Sequence, residues 1–399
     1  MPIPQRGREG EERESHLKYA LIVARMALVC QYGGTQMNNK HVLLIGPFPP
    51  PIGGDTVLTL NVSRSKYWGD HGITLNCINT SAGDRVRSLD EKLTSGDLMR
   101  GIRIFFELAM KLPRCGAVLL WANNRFIVTM GPVIMAWSRL FGRPIFVKVF
   151  GAYLARRIRR TPQPARQLAL TALRTATRVY PETHALTHEL VEEGWLPAPR
   201  VFMLPNFLPD GSFAETFTAK RFSGRCVFFG QIKREKGVFD IIEAIGGREG
   251  AACDFYGPVL DRDRNDFLAS ISRFPNLSYK GTVEPGAVSR AAAAYDVLLL
   301  PTYHDSEGYP AVILEAYAAG IPVVATNWLS IPEIVEDGVR GILVPVKAPE
   351  RIREAIRRFA SDEHLYESMC RNAFEYVRLF SEGAVLGGIL IPQVTRALR

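Results

Sequence analysis

The sequence predicts an α/β fold of two doubly wound Rossmann-like domains facing across a cleft. Three observations predict it. Apolar runs of four to eight residues alternate with longer stretches of helical periodicity, the pattern of βαβ units and parallel sheets. The 399 residues are enough for two separate cores. Near the middle, Leu204-Pro-Asn-Phe-Leu-Pro-Asp-Gly211 breaks the alternation with the residues of a linker.

Taken in order, strands are expected at 41–46, 73–79, 117–121, 145–150, 178–180 and 201–204 in the first half. In the second half they are expected at 226–229, 253–256, 277–279, 297–300, 323–325 and 342–344. From Pro349 to Arg399 the pattern reads as consecutive helices. Met37-Asn-Asn-Lys40 leads straight into the first strand, so residues 1–36 are expected to be an extension without fold, either non-native or a surface anchor. The first domain then runs over 37–207 and the second over 208–380, with 381–399 as a closing helix.

Composition narrows the class. Apolar residues make up 47% and charged residues 22%, ordinary for a globular chain. The six cysteines are scattered without a C-x-x-C pair, which points to reduced thiols in a cytoplasmic protein and away from a disulfide framework or zinc site. Charge is uneven: residues 1–210 hold 27 Lys and Arg against 16 Asp and Glu, a net +11, which leaves −2 of the total +9 for the rest. Ten basic residues and no acid lie between Arg139 and Tyr180, among them Lys148 and Arg159. An anionic membrane surface or anionic acceptor would suit such a stretch, as would plain solvation. No aromatic interleaving marks it as a nucleic-acid platform, so no nucleic-acid partner is expected. No segment reaches the ~20 apolar residues of a membrane span. Leu17 to Cys30 comes nearest and is broken by Lys18 and Arg25.

The most informative stretch is Glu307-Gly-Tyr-Pro-Ala-Val-Ile-Leu-Glu315. Glu307 falls in a loop after an apolar strand, and Glu315 falls about two turns into a helix expected to start near Tyr309, with Pro310 in its first turn. The carboxylates then stand roughly 10 Å apart along the helix. A retaining glycosidase pair needs about 5 Å. The spacing suits an elongated ligand with hydroxyls at both ends and a phosphate between, seated on the N–H groups of the helix N-terminus. A nucleotide-sugar has that form. Lys236 follows strand 226–229 on a short loop and is the best cation for a leaving phosphate. Gly53 and Gly54 lie at a turn where backbone can approach a phosphate or acceptor closely. That turn is not G-x-G-x-x-G, which disfavours a dinucleotide oxidoreductase.

Together, the E-x7-E element, Gly320-Ile-Pro-Val-Val-Ala-Thr326, Ser330-Ile-Pro-Glu-Ile-Val-Glu-Asp-Gly338, Gly341-Ile-Leu-Val-Pro345 and Phe228-Phe-Gly-Gln-Ile-Lys-Arg-Glu-Lys-Gly237 resemble the donor site of retaining GT-B glycosyltransferases of family 4. The resemblance covers roughly 38–380 and is strongest in the second half. It implies the GT-B arrangement, a closing helix packed back on the first domain, and transfer of a hexosyl group from a nucleoside-diphosphate sugar without cofactor or metal. It implies that Lys236 and Glu307 are catalytic, with Glu307 on sugar hydroxyls near the reacting carbon. Glu315 would hold the ribose hydroxyls, and backbone N–H groups of Gly308, Tyr309 and Ala311 the phosphate. Where the family has an arginine on the diphosphate this chain has Gln231, for which either Lys233 or Arg234 would compensate or the site would hold the diphosphate less tightly. Where the family often has a histidine facing the sugar, this chain has Phe150; His184, His188 and His304 are alternatives in principle only. Asp261-Arg-Asp263 superficially matches a metal-binding D-x-D, but helix capping and dipole compensation explain it better. The basic half suggests an anionic or lipid-linked saccharide acceptor and peripheral contact with the inner face of a membrane, as in cell-surface polysaccharide or glycolipid assembly. A nucleotide-sugar epimerase or hydrolase and a non-catalytic accessory subunit of the same fold stay open at this point.

Overall fold

A computed structural model describes residues 40–81, 83, 94–218, 220–284 and 286–399. The expected extension over 1–36 and the Leu17 to Cys30 segment lie outside the described residues. Two all-parallel sheets organise the chain. The first has order β2-β1-β3-β4-β5, from β1 (His41–Gly46), β2 (Thr74–Asn79), β3 (Ala117–Asn123), β4 (Ile145–Phe150) and β5 (Arg178–Tyr180). The second comprises β6 (Arg225–Phe229), β7 (Ala252–Tyr256), β8 (Leu277–Tyr279), β9 (Val297–Leu300), β10 (Val323–Thr326) and β11 (Gly341–Val344), in the order β11-β10-β9-β6-β7-β8. Strand order therefore reverses between β1 and β3 in one sheet and between β6 and β9 in the other. Such switch points open a crevice at the carboxyl ends of the strands, where open α/β sheets bind ligands.

Burial explains why these runs are strands. Val42 to Ile45, Val118 to Leu120 and Val297 to Leu299 are wholly inaccessible on both faces, as parallel strands covered by helices on either side should be. Helices α1 (Gly54–Arg64) and α2 (Ser95–Lys111) line the cleft, α3 (His184–Glu192) and α4 (Val238–Ile245) follow loops that reach it, and α5 (Ala311–Ala318) lines it from the second domain. The first sheet has an apolar cluster on each face. On one face Val42, Leu44 and Trp121 meet Val385, Leu386, Leu390 and Ile391 from the C-terminal helical segment, and Tyr180 Oη donates to Gln393 Oε1 at 2.8 Å. The second sheet has its own core, built from residues between Leu208 and Phe380.

Three local expectations are corrected. Residues 201–204 form no strand: Val201 makes a single bridge to Val179, because β5 is only three residues long and stops at Pro181. The helix expected from Tyr309 starts at Ala311, with Pro310 as its N-cap. A residue preceding proline is driven out of the α region, so Tyr309 cannot join the first turn. The helix Asp261–Ile271 is capped by Leu260 without a side-chain hydrogen bond, so its two acids favour its dipole but do not cap it.

Candidate active site

The carboxyl ends of β6 and β9 carry two loops that lean on one another. After β6 the chain runs to a 3-10 turn, Arg234–Lys236, and then to Gly237 at φ 73° before α4. A Cβ on Gly237 would collide with the Pro301 carbonyl just past β9, so only glycine lets the Lys236 turn sit this close. Tyr303 N–H donates to the Glu235 carbonyl at 2.9 Å and ties the loops together. The result sets Lys236 Nζ 2.5 Å from Glu307 Oε2, a pair with side chains 17% and 8% exposed. Thr302 Oγ1 donates to the same carboxylate oxygen at 2.8 Å. Burial raises the Glu307 carboxyl, but the Lys236 charge and the two donors outweigh it and hold the pKa below the ordinary value.

Positive charge is crowded here. Lys233 is pushed down to about 8, first by burial and then by the Lys236 ammonium. His304, 3.3 Å from Lys233 Nζ, is pushed down to about 4 by burial and by both lysines. Its ring is therefore neutral at pH 7. Opposite, α5 begins without a side-chain cap, leaving its first N–H groups to whatever occupies the cleft. Glu315, one turn further along, is half-buried, and burial alone pushes its carboxyl up to about 8. A depressed lysine, a neutral histidine, an uncapped helix and a carboxyl that burial keeps protonated form a site fitted to an anionic ligand.

Ten of the residues singled out from sequence line one cleft of about 2120 Å³ between the domains: Gly53, Gly54, Gln231, Lys233, Lys236, Glu307, Gly308, Tyr309, Ala311 and Glu315. Two expectations within it change. Tyr309 N–H faces the Glu182 carboxylate at 3.4 Å and so does not point freely to a phosphate. Arg234 does not compensate for Gln231: its guanidinium stacks over Phe239 at 4.2 Å and donates to Asp266 outside the cleft. Phe150 lines the cleft, edge-on to Trp121. His184 and His188 do not line it, and His188 pairs with Glu192 at 2.9 Å. Asp263 accepts the Arg234 N–H and contacts the Arg262 guanidinium.

Residues missed by sequence reasoning are Thr302, Glu182 and Asn206, and His304 was named only as an alternative in principle. Thr302 was within reach, since a polar side chain directly after a buried apolar strand stands at its carboxyl end. Glu182 and Asn206 reach the cleft only through the meeting of distant segments. On the first domain's side α2 gives the wall an apolar stretch. Its cleft-lining residues Leu98 (68% exposed), Ile102 (42%) and Phe106 (59%) lie open, and Phe105 packs edge-on to Trp137 at 4.8 Å. The basic stretch from Arg139 does not form one surface. Lys148 is fully buried and donates to the Leu204 carbonyl, and Arg159 is paired with Glu189 and Glu193 at 2.6 Å each.

With this geometry in view, the second half matches a known family over residues 223–376, described as glycosyl transferases group 1. The group 1 region carries Lys233, Lys236, Glu307 and Glu315. The chain is 27% identical over 259 residues to the alpha-D-kanosaminyltransferase of Streptomyces kanamyceticus, covering 59% of this chain and 66% of that protein. It is 30% identical over 141 residues to a D-inositol 3-phosphate glycosyltransferase of Actinosynnema mirum, covering 35% and 32%. The chain thus spans less than two thirds of the first relative and about one third of the second. Among solved structures it superposes on Anabaena HepE in complex with UDP with a TM-score of 0.66 at 16% identity, over 89% of this chain and 99% of that one. The sucrose-phosphate synthase of Thermosynechococcus elongatus gives 0.68 at 16%, over 90% and 100%. The fold is GT-B, with group 1 character in its second domain.

Proposed function

We propose that the chain is a retaining glycosyltransferase that moves a hexosyl group from a nucleoside-diphosphate sugar to an anionic or lipid-linked saccharide acceptor. The observation that carries this reading is the polar cluster of depressed Lys233, neutral His304 and Glu307-paired Lys236, facing the uncapped start of α5. A diphosphate in this position would bring negative charge to Lys233 and the free N–H groups, and Glu315 would face the ribose hydroxyls. Bond breaking puts negative charge on the leaving phosphate, where a positioned ammonium and backbone N–H groups stabilise it. The anomeric C–O bond to the diphosphate breaks, and the acceptor hydroxyl oxygen bonds to the same carbon from the same face. The acceptor proton passes to the departing phosphate oxygen. With Phe150 where a histidine is common in similar proteins, this route needs no protein base. Glu307, held ionised by Lys236 and Thr302, would orient the sugar hydroxyls.

The acceptor side of the reading rests on the open apolar face of α2, which joins the cleft and suits the lipid part of an amphiphile. No helix among the described residues is long and apolar enough to cross a membrane, so we infer peripheral contact with the cytoplasmic face of a membrane that holds the acceptor. Assembly of a cell-surface polysaccharide or glycolipid fits such an acceptor. The test is mass-spectrometric detection of nucleoside diphosphate and glycosylated product from a panel of UDP-, GDP- and ADP-sugars, with and without a lipid extract of the host. Release that needs the extract and disappears in Lys236→Ala and Glu307→Ala supports transfer. Donor loss without acceptor would overturn it in favour of a hydrolase or epimerase, and no donor loss by folded protein would favour an accessory subunit.

A further inference from the structure

Two carboxylates cross the cleft in opposite directions. Glu182, from the first domain, accepts the N–H of its own domain's Gly151 at 2.8 Å and reaches Tyr309 N–H of the second at 3.4 Å. Glu333, from the second domain, accepts His184 N–H at 2.7 Å on one oxygen and Ala185 N–H at 2.8 Å on the other. These two residues open α3, where helical N–H groups have no partner within the helix and the dipole favours an anion. Thr183 Oγ1 takes the next N–H, from Leu186, at 3.1 Å. One short segment, 182–185, therefore both gives a carboxylate to the opposite domain and receives one from it.

The receiving loop is fitted to this contact. A Cβ on Gly308 would strike the Glu182 carboxylate and stand 2.7 Å from Gly151 Cα, so glycine is what allows the domains to meet here. Asn206 of the inter-domain linker donates to the Tyr309 carbonyl at 2.6 Å, and Ser330 donates to the Gly308 carbonyl. Gly308 and Tyr309 directly follow Glu307, so whatever fixes them fixes the carboxylate paired with Lys236. The two sheets have separate cores, and neither carboxylate belongs to either one. Their contacts act on how the domains sit together.

We propose that Glu182 and Glu333 form a reciprocal inter-domain clasp and act as positioning residues for the Glu307 loop. The consequence for transfer rests on the donor-site reading above, whereas the clasp itself requires no donor. It acts cooperatively: freeing one carboxylate loosens the other contact, because both report the same separation of the domains.

Hydrogen exchange of the full-length chain, read by mass spectrometry beside small-angle X-ray scattering, tests this. In Glu333→Ala, faster exchange at His184 and Ala185 would follow from any lost cap. The clasp further requires exchange at Tyr309 to accelerate about tenfold, the weight of a doubly bonded carboxylate on a helix N-terminus. It also requires a larger radius of gyration. Glu182→Ala should reciprocally accelerate His184 and Ala185. Glu333→Gln, close in shape and keeping one acceptor oxygen, should fall between wild type and Glu333→Ala and serves if the alanine variant folds poorly. Unchanged exchange at Tyr309, with wild-type scattering, would overturn the clasp. The readout needs no substrate, so it holds or fails independently of the transferase assay.

Discussion

The two walls of the cleft are built on opposite principles. The second domain's wall is polar and electrostatically unfinished: Lys233 and His304 are pushed below their ordinary values, Glu315 above its own, and α5 is uncapped. The first domain's wall carries an open apolar stretch, with Leu98, Ile102 and Phe106 exposed in the same cleft as a Pro/Gly turn. A diphosphate demands the same few groups in any protein: cations, free N–H groups and a carboxylate for a diol. An acceptor demands a surface shaped to one molecule. The first requirement leaves a motif, and the second does not.

The largest test of this contrast sets Lys236→Ala against Gly54→Ala. Removing the ammonium should lower kcat about 100- to 1000-fold, the usual cost of losing one preorganised donor to a developing oxyanion. Gly54 opens α1, and a Cβ there meets nothing within 4 Å, so Gly54→Ala should fold as wild type. Its effect should fall on acceptor KM, leaving donor KM unchanged. A donor effect from Gly54→Ala of the same size as that from Lys236→Ala would erase the distinction between the walls.

Glu315 gives the next largest effect. Its folded pKa of about 8 lies above the unfolded value of about 4.3, so its contribution to stability is full below about pH 4 and is lost as pH rises through 8. Glu315→Gln should therefore stabilise the unliganded chain by about 1–3 kcal/mol at pH 9, seen as a higher Tm, and flatten the loss of stability between pH 5 and 8. The same substitution should weaken nucleoside-diphosphate binding about tenfold by removing the ribose partner. A stabilised variant with undiminished binding would remove Glu315 from the donor site.

These cases show what was legible. Both sheets could be read because buried parallel strands are continuous apolar runs, and Val297 to Leu300 can hardly be anything else. Lys236, Glu307 and Glu315 could be singled out because their neighbours in sequence are also their neighbours in space, on loops at strand ends. Glu182 escaped notice because its significance lies in Tyr309, 127 residues away. Lys148 misled for the same reason: within a run of arginines it reads as surface charge, yet β4 turns it inward onto the Leu204 carbonyl. The start of α5 was misplaced by two residues, since a proline that can open a helix also bars the residue before it from joining.

Lys233 offers a pH test confined to the donor wall. Its pKa of about 8 in the free chain leaves it charged at pH 7 and increasingly neutral above pH 8. An anion binds the charged form, so nucleoside-diphosphate affinity should fall as pH rises through 8, by up to about tenfold per unit. Calorimetry in buffers of different ionisation enthalpy should show proton uptake on binding near pH 8, absent in Lys233→Met. Uptake that survives in Lys233→Met would move the titrating group elsewhere.

The smallest expected effect falls on the acceptor wall. Replacing Leu98 and Phe106 by serine removes two cleft-lining side chains that are already 68% and 59% exposed, so the fold should lose little. If these residues hold the hydrocarbon part of the acceptor, each contributes only the fraction of its area that a lipid chain can cover. At about 25 cal/mol per Å² this corresponds to about a fivefold rise in KM for a lipid-linked acceptor. A water-soluble analogue lacking the lipid, and the donor itself, should show unchanged KM, because neither reaches α2. Equal increases for the lipid-linked and the soluble acceptor would mean that α2 shapes the saccharide site, and the apolar wall would then no longer point to a lipid.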